Sequence, residues 1–203
     1  MTAGAAGAAS YDWRFDSGRV CLDLVATSPP APGRSEPLAE PGRLGQWLLG
    51  AGVVPAGTPL GAVDGQWATR FVELRDCVGQ LVRAEIDGRY AESALERVNA
   101  LAATPPPGIH AVRAADGSLT RTLSAAPDCH ALLAAVARDA VELLTDPVAR
   151  AGLRQCEGDN CRRVYLDTSR GRRRRWCSSE VCGNRERVAR HRRRAAVARA
   201  PLF

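Results

Sequence analysis

Four cysteines near the C-terminal end carry the clearest chemistry in this sequence. Four residues separate Cys156 from Cys161 and four separate Cys177 from Cys182, with fifteen between the pairs. Thiolates paired at this spacing suit a tetrahedral Zn²⁺ held at ~2.3 Å with no open position, so the ion is expected to be structural rather than hydrolytic. The loop Glu157-Gly158-Asp159-Asn160 is rich in turn formers, as a knuckle folding two sulfurs onto one ion requires. Cys21, Cys77 and Cys129 stand singly in apolar-periodic segments and read as small buried hydrophobes. An odd total of seven cysteines argues for metal over a disulfide framework, with an iron–sulfur cluster or a redox switch as the alternatives.

The cysteine pairs are framed by positive charge. Residues 1–153 carry 13 Arg and 17 acids, whereas residues 154–203 carry 15 Arg and 5 acids, so a body of net charge −4 precedes an end of +10. That asymmetry points to a polyanionic partner. The chain has no Lys, so the choice of Arg over Lys is a coding bias, but the local density of cations is not. Arg172, Arg173, Arg174 and Arg175 form one basic run. After Cys182 a helix is expected to run to about Arg199, with Arg185, Arg192 and Arg199 in one stripe and Arg187, Arg190 and Arg194 in another. Val181, Val188 and Ala195, repeating every seven residues, are expected to face inward. These arginines, with Asn184, are the candidate nucleic-acid contacts, and duplex DNA is the favoured partner. Phosphate neutralisation would supply most of the affinity, and base reading would fall to Asn184 or one or two arginines of the helix. An RNA- or ribosome-associated protein and a zinc-stabilised protein-interaction module are the other readings.

Other elements must hold this module. Val164-Tyr165-Leu166 and Arg174-Arg175-Trp176 are expected to form a hairpin between the cysteine pairs, with Tyr165 and Trp176 as a small core. So few apolar residues cannot fold alone, and the metal must supply the missing stability. Upstream, Arg19 to Ala26 alternates with Val20, Leu22 and Leu24 on one side and predicts a strand. A Pro-rich loop spans Ser28 to Pro37, and Pro41 starts a short helix. Trp67, Phe71, Leu74, Val78, Leu81 and Val82 recur at helical steps and predict an amphipathic helix from about Gly65 to Asp87. Leu95, Val98 and Leu101 mark another helix. Asp116-Gly117 is a turn between two short strands, and Leu132, Val136, Ala140 and Leu143 mark a long helix. Asp146-Pro147 caps and opens a last short helix. The expected fold is α+β and mostly helical: a flexible tail over residues 1–10, a domain over 11–150, and a finger over 151–199.

No motif of catalysis accompanies these elements. A Gly-rich phosphate loop, a Gly-x-Ser-x-Gly elbow and an H-E-x-x-H pair are all missing from the sequence; of its three histidines, His110, His130 and His191, the first two fall beside a strand and near a helix start, where solvated or capping histidines are common. An enzyme is the least supported reading. The start of the chain has no basic segment ahead of an apolar run, and no apolar run reaches ~20 residues, so no membrane is expected and the cytoplasm is the default compartment.

Cys156-x4-Cys161, Tyr165-x-Asp167-x-Ser169-Arg170, Arg175-Trp176-Cys177 and Cys182-Gly183-Asn184-Arg185 together resemble the CGNR zinc finger. Gly18-Arg19-x-Cys21-Leu22-Asp23-Leu24-Val25-x-Thr27, Leu44-x-x-Trp47-Leu48 and Leu74-Arg75 resemble the ABATE domain that precedes it. The resemblance implies a stress-related transcription regulator with a DNA-binding finger and one zinc ion. The upstream domain would sense a small effector or form a homodimer. Tyr165 stands where Phe is frequent in the family, an exchange expected to matter little.

Overall fold

The computed structural model describes residues 13–29 and 33–198, without the side chains of 195–198. The expected tail and Arg199 lie outside the described residues, as does part of the Pro-rich loop. Helices α1 (Val20–Val25), α2 (Pro41–Gly50), α3 (Gly65–Ile86) and α4 (Glu92–Ala102) come first, then a hairpin of β1 (Ile109–Arg113) and β2 (Leu119–Leu123). Helices α5 (Cys129–Thr145) and α6 (Pro147–Arg150) follow, then strands β3 (Leu153–Gln155) and β4 (Val164–Leu166). A π-helical turn over Ser179–Gly183 leads into α7 (Asn184–Ala198).

Side-chain caps set the helix starts. Asp64 accepts from Gln66 N and Trp67 N, Asp128 from Ala131 N, and Asp146 from Val148 N and Ala149 N ahead of Pro147. Helix α3 stops where Gly88 takes a positive φ of 64° and Arg89 N bonds back to Ala84 O, a turn that favours glycine. In the hairpin Asp116 accepts from Ser118 N and Gly117 has φ 82°.

The core lies where α1, α3 and α5 converge. Phe71, Leu74, Val78, Leu132, Val136 and Leu143 are buried, Trp67 is half-buried against them, and Trp47 of α2 meets Phe71 with ring centroids 6.2 Å apart. The expected strand at Arg19–Ala26 is a helix. Cys21, Leu22, Asp23, Leu24 and Val25 are all buried. An element enclosed on every side is apolar all round, so a period of two in its apolar residues says nothing about its conformation. Helix α1 has no cap of its own at Arg19. Asp139 of α5 replaces one: its Oδ2 accepts from Cys21 N at 2.8 Å and its Oδ1 from Arg19 Nε at 2.9 Å. Asp23 turns back to accept from Ser17 N at 2.9 Å. The Leu74-Arg75 pair also serves the packing. Arg75 is buried and donates to Glu36 at 2.6 Å, and an ion pair at 2.9 Å joins it to Asp76.

The finger is joined directly to this body. Strand β4 pairs antiparallel with β3, in the register Leu153↔Leu166, Arg154↔Tyr165 and Gln155↔Val164. The expected hairpin partner, Arg174–Trp176, forms no ladder. The short helix opened at Pro147 ends at Arg150, which leaves Leu153–Gln155 free to pair with β4 instead. Leu153 and Val164 complete the main core, and Leu166 N donates to Ser17 O at 2.8 Å. Gly18, at φ 91°, brings the chain so close to β4 that a Cβ there would lie 3.1 Å from Leu166 Cβ. No described helix is long and apolar enough to cross a membrane.

Candidate metal centre

Two turns aim the four cysteines at one point. Cys156 N donates to Arg163 O, extending the β3–β4 ladder, and Cys161 N donates to Gly158 O within the first knuckle. Asn160 takes φ 59°, which an Asn tolerates better than most residues. At Gly158 a Cβ would lie 3.3 Å from Cys182 Cβ and 3.5 Å from Cys156 Sγ, so glycine lets the knuckle close over the sulfurs. Ser178 accepts from Val181 N, and Gly183 N donates to Ser178 O, which fixes the turn that delivers Cys182 to the start of α7.

The four sulfurs all lie within 4.8 Å of one another. Sulfurs at ~2.3 Å from a tetrahedral centre stand ~3.8 Å apart. Cys161 Sγ is 3.9 Å from Cys177 Sγ, and Cys177 Sγ is 3.6 Å from Cys182 Sγ, too far for disulfides and right for one shared ion. Cys156, Cys177 and Cys182 are buried and Cys161 half-buried, and Cys177 N donates to Cys156 Sγ at 3.3 Å. Four negative sulfurs cannot crowd together without a cation. The contact with Cys177 holds the Cys161 thiol down at about 4, while the same contact drives Cys177 far up and burial pushes Cys182 to about 11. Binding Zn²⁺ displaces the protons that those sulfurs otherwise keep. The donor set therefore fits one structural zinc ion.

Around the sulfurs the finger motif is a frame. Tyr165 is fully buried and, with half-buried Trp176, packs on the cysteines as the spacing led us to expect. Its hydroxyl donates to Arg174 O at 2.6 Å, a bond that Phe cannot make. Buried Asp167, one of the finger-motif residues, accepts from Ser169 N at 3.0 Å and from Arg174 N at 2.9 Å and ties the turn to the loop before Trp176. Burial opposes its charge, but these bonds and nearby Arg174 hold its carboxyl below the usual range.

The candidate nucleic-acid residues divide into two groups. Arg174 is built into the finger: it donates to Cys177 O at 2.7 Å and lies 4.9 Å over the Tyr165 ring. Arg175 pairs with Glu157 at 2.6 Å and covers Trp176. Arg172 and Arg173 are exposed in the connecting loop. On α7, Asn184, Arg185, Arg187, Arg190, Arg192 and Arg194 are all exposed. Arg187 donates to Ser179 O at 3.3 Å, and the helix's one acid, Glu186, accepts from Asp159 N at 3.2 Å. Val181, in the turn before α7, and Val188 do not face inward as the heptad spacing suggested; they are 39% and 45% exposed. The side chain of Ala195 is outside the described residues.

His110, His130 and His191 are exposed. His130 Nε2 is 2.7 Å from Arg70 and must be the acceptor, since a guanidinium has no lone pair to offer. Cys21, Cys77 and Cys129 are buried, and burial raises each thiol, Cys129 to about 11.

No curated protein matches the chain. The CGNR zinc finger family model matches residues 153–195, covering all four cysteines and most of α7. The model described as "ABATE: Putative stress-induced transcription regulator" matches residues 18–147, from the glycine before α1 to the opening of α6. The chain belongs to the ABATE family and ends in a CGNR zinc finger.

Proposed function

We propose that this protein is a transcription regulator that binds duplex DNA through its zinc-anchored C-terminal helix and is not an enzyme. The observation that carries the proposal is α7: six arginines and a single glutamate on one helix, with its first turn fixed by Cys182 and its arginines exposed. Like charges at three- and four-residue steps repel unless anions lie between them, and a row of phosphates is such a partner. Arg187, Arg190 and Arg194 share one face, and with Arg192, Arg172 and Arg173 they act on phosphates. Asn184 and Arg185, at the helix start, are placed to read base edges.

The upstream domain takes the sensing role. Its core shares Leu153 and Val164 with the finger, so a change in the body reaches the zinc module through packed side chains.

Binding of the full-length zinc-loaded protein to duplex DNA, structured RNA and an acidic polypeptide, compared at matched salt, tests this reading. The proposal expects duplex DNA to bind tightest and Arg190→Ala to weaken all DNA sequences alike. Preference for RNA or for the acidic polypeptide replaces it with the ribosomal or the protein-interaction reading.

A further inference from the structure

A second basic site, away from α7, lies where the body meets the first zinc knuckle. A cleft of about 330 Å³ opens there between α1 and α3 on one side and Asn160 to Arg163 on the other. Among the described residues three arginines line it, Arg83, Arg162 and Arg163, and no carboxylate does. Arg163 is matched by Asp16 at 2.6 Å. Among the described residues Arg162 has no partner, and Arg83, half-buried on α3, donates only to Gly79 O of its own helix at 3.0 Å. A cation drawn partly out of water without a counter-charge is costly, and the cost falls when an anion joins it.

Gly79 leaves room for Arg83 as it lies along α3. Glycine within a helix costs about 1 kcal/mol relative to alanine. Here a Cβ at Gly79 would lie 2.8 Å from Arg83 Nη1 and 3.7 Å from Val25 Cγ1. With no side chain at Gly79, the Arg83 guanidinium lies against Gly79 O and lines the cleft. Ser28 and Asn160 add polar groups to the same lining.

We infer that this cleft is a phosphate-oxyanion site clamped by Arg83 of the body and Arg162 of the finger. The volume exceeds what a bare phosphate needs, so the oxyanion is carried on a larger body. The phosphate comes either from a free phosphorylated small molecule or from the nucleic-acid backbone. With a free ligand, the site bridges the sensing domain and the zinc module and holds them in one arrangement.

The test uses the full-length zinc-loaded protein and three probes: inorganic phosphate, adenosine monophosphate and duplex DNA. Thermal stabilisation and calorimetric binding are read against chloride at equal ionic strength. Expected is saturable stabilisation of the wild-type protein by phosphate or adenosine monophosphate, weakened at least about tenfold in Arg83→Gln, the loss of one charge-assisted contact. Arg162→Gln should behave alike, with zinc content unchanged in both variants. A free small molecule as the source leaves DNA affinity the same in Arg83→Gln. A backbone phosphate instead lowers DNA affinity and flattens its salt slope by about one unit. Stabilisation equal to that by chloride, or equal in wild type and both variants, together with unchanged DNA binding, overturns the proposal. Because α7 is untouched, its binding can fail while this site stands, and the reverse.

Discussion

Replacing Asp139 by alanine should loosen the body without touching the zinc. Asp139 holds the start of α1 from the neighbouring helix α5, through Arg19 Nε at 2.9 Å and Cys21 N at 2.8 Å. The Arg19 and Asp139 side chains are 27% and 21% exposed, so the pair is partly screened. A charge-assisted bond contributes about 1.5–3 kcal/mol and a lost helix cap costs about 1 kcal/mol. Arg19 keeps a weaker partner in Glu142 at 3.1 Å, which is 73% exposed. The expected loss is therefore about 2–4 kcal/mol, equivalent to a fall in Tm of about 5–15 °C for a chain of this size. Asp139→Asn keeps an oxygen for Cys21 N and should lose only about 1–2 kcal/mol. Scanning calorimetry with elemental analysis of each sample measures both effects, and zinc should remain at one per chain. An Asp139→Ala protein melting at the wild-type temperature would refute the claim that α5 caps α1.

Other outcomes follow from the same contacts. Removing zinc with a chelator, or Cys177→Ser, should abolish amide-exchange protection across residues 156–183 while α3 and α5 keep theirs; loss of protection throughout would show that the body has no stability of its own. Tyr165→Phe removes the 2.6 Å donor to Arg174 O and should cost about 1–3 kcal/mol, seen as a lower chelator concentration for half-loss of zinc; an unchanged midpoint contradicts this. Burial raises the Asp23 carboxyl above its unfolded value despite the bond from Ser17 N. Its ionisation thus costs stability as the pH rises through that window, and Asp23→Asn, which keeps the bond, should be neutral or slightly stabilising at pH 7. A marked loss of stability in Asp23→Asn at pH 7 goes against that sign.

Where an element showed one face to water, its residues announced it. The six apolar positions of α3 and the cap at Asp146 placed their helices closely. The matched cysteine spacing also located the metal centre, because chelation restricts which residues can lie at which distances. Two features were hidden. Helix α1 is enclosed, and its cap comes from Asp139, more than a hundred residues away, so no local pattern could separate helix from strand. Strand β3 is three residues long and follows a helical signal, and only its pairing with β4 defines it. The inward face assigned to α7 failed for a related reason: a heptad repeat marks a stripe but not whether anything covers it.

The central claim is that the basic helix on its zinc anchor binds DNA phosphates. Affinity of the zinc-loaded full-length protein for duplex DNA, measured from 50 to 200 mM salt, tests it most directly. If about five arginines engage phosphates, log K falls with a slope near −4.5 against log salt, a drop of about five hundredfold over that range. Arg187→Ala, Arg190→Ala and Arg194→Ala should each flatten the slope by about one unit. An affinity that does not change with salt, or slopes equal in all three variants and the wild type, would contradict the account.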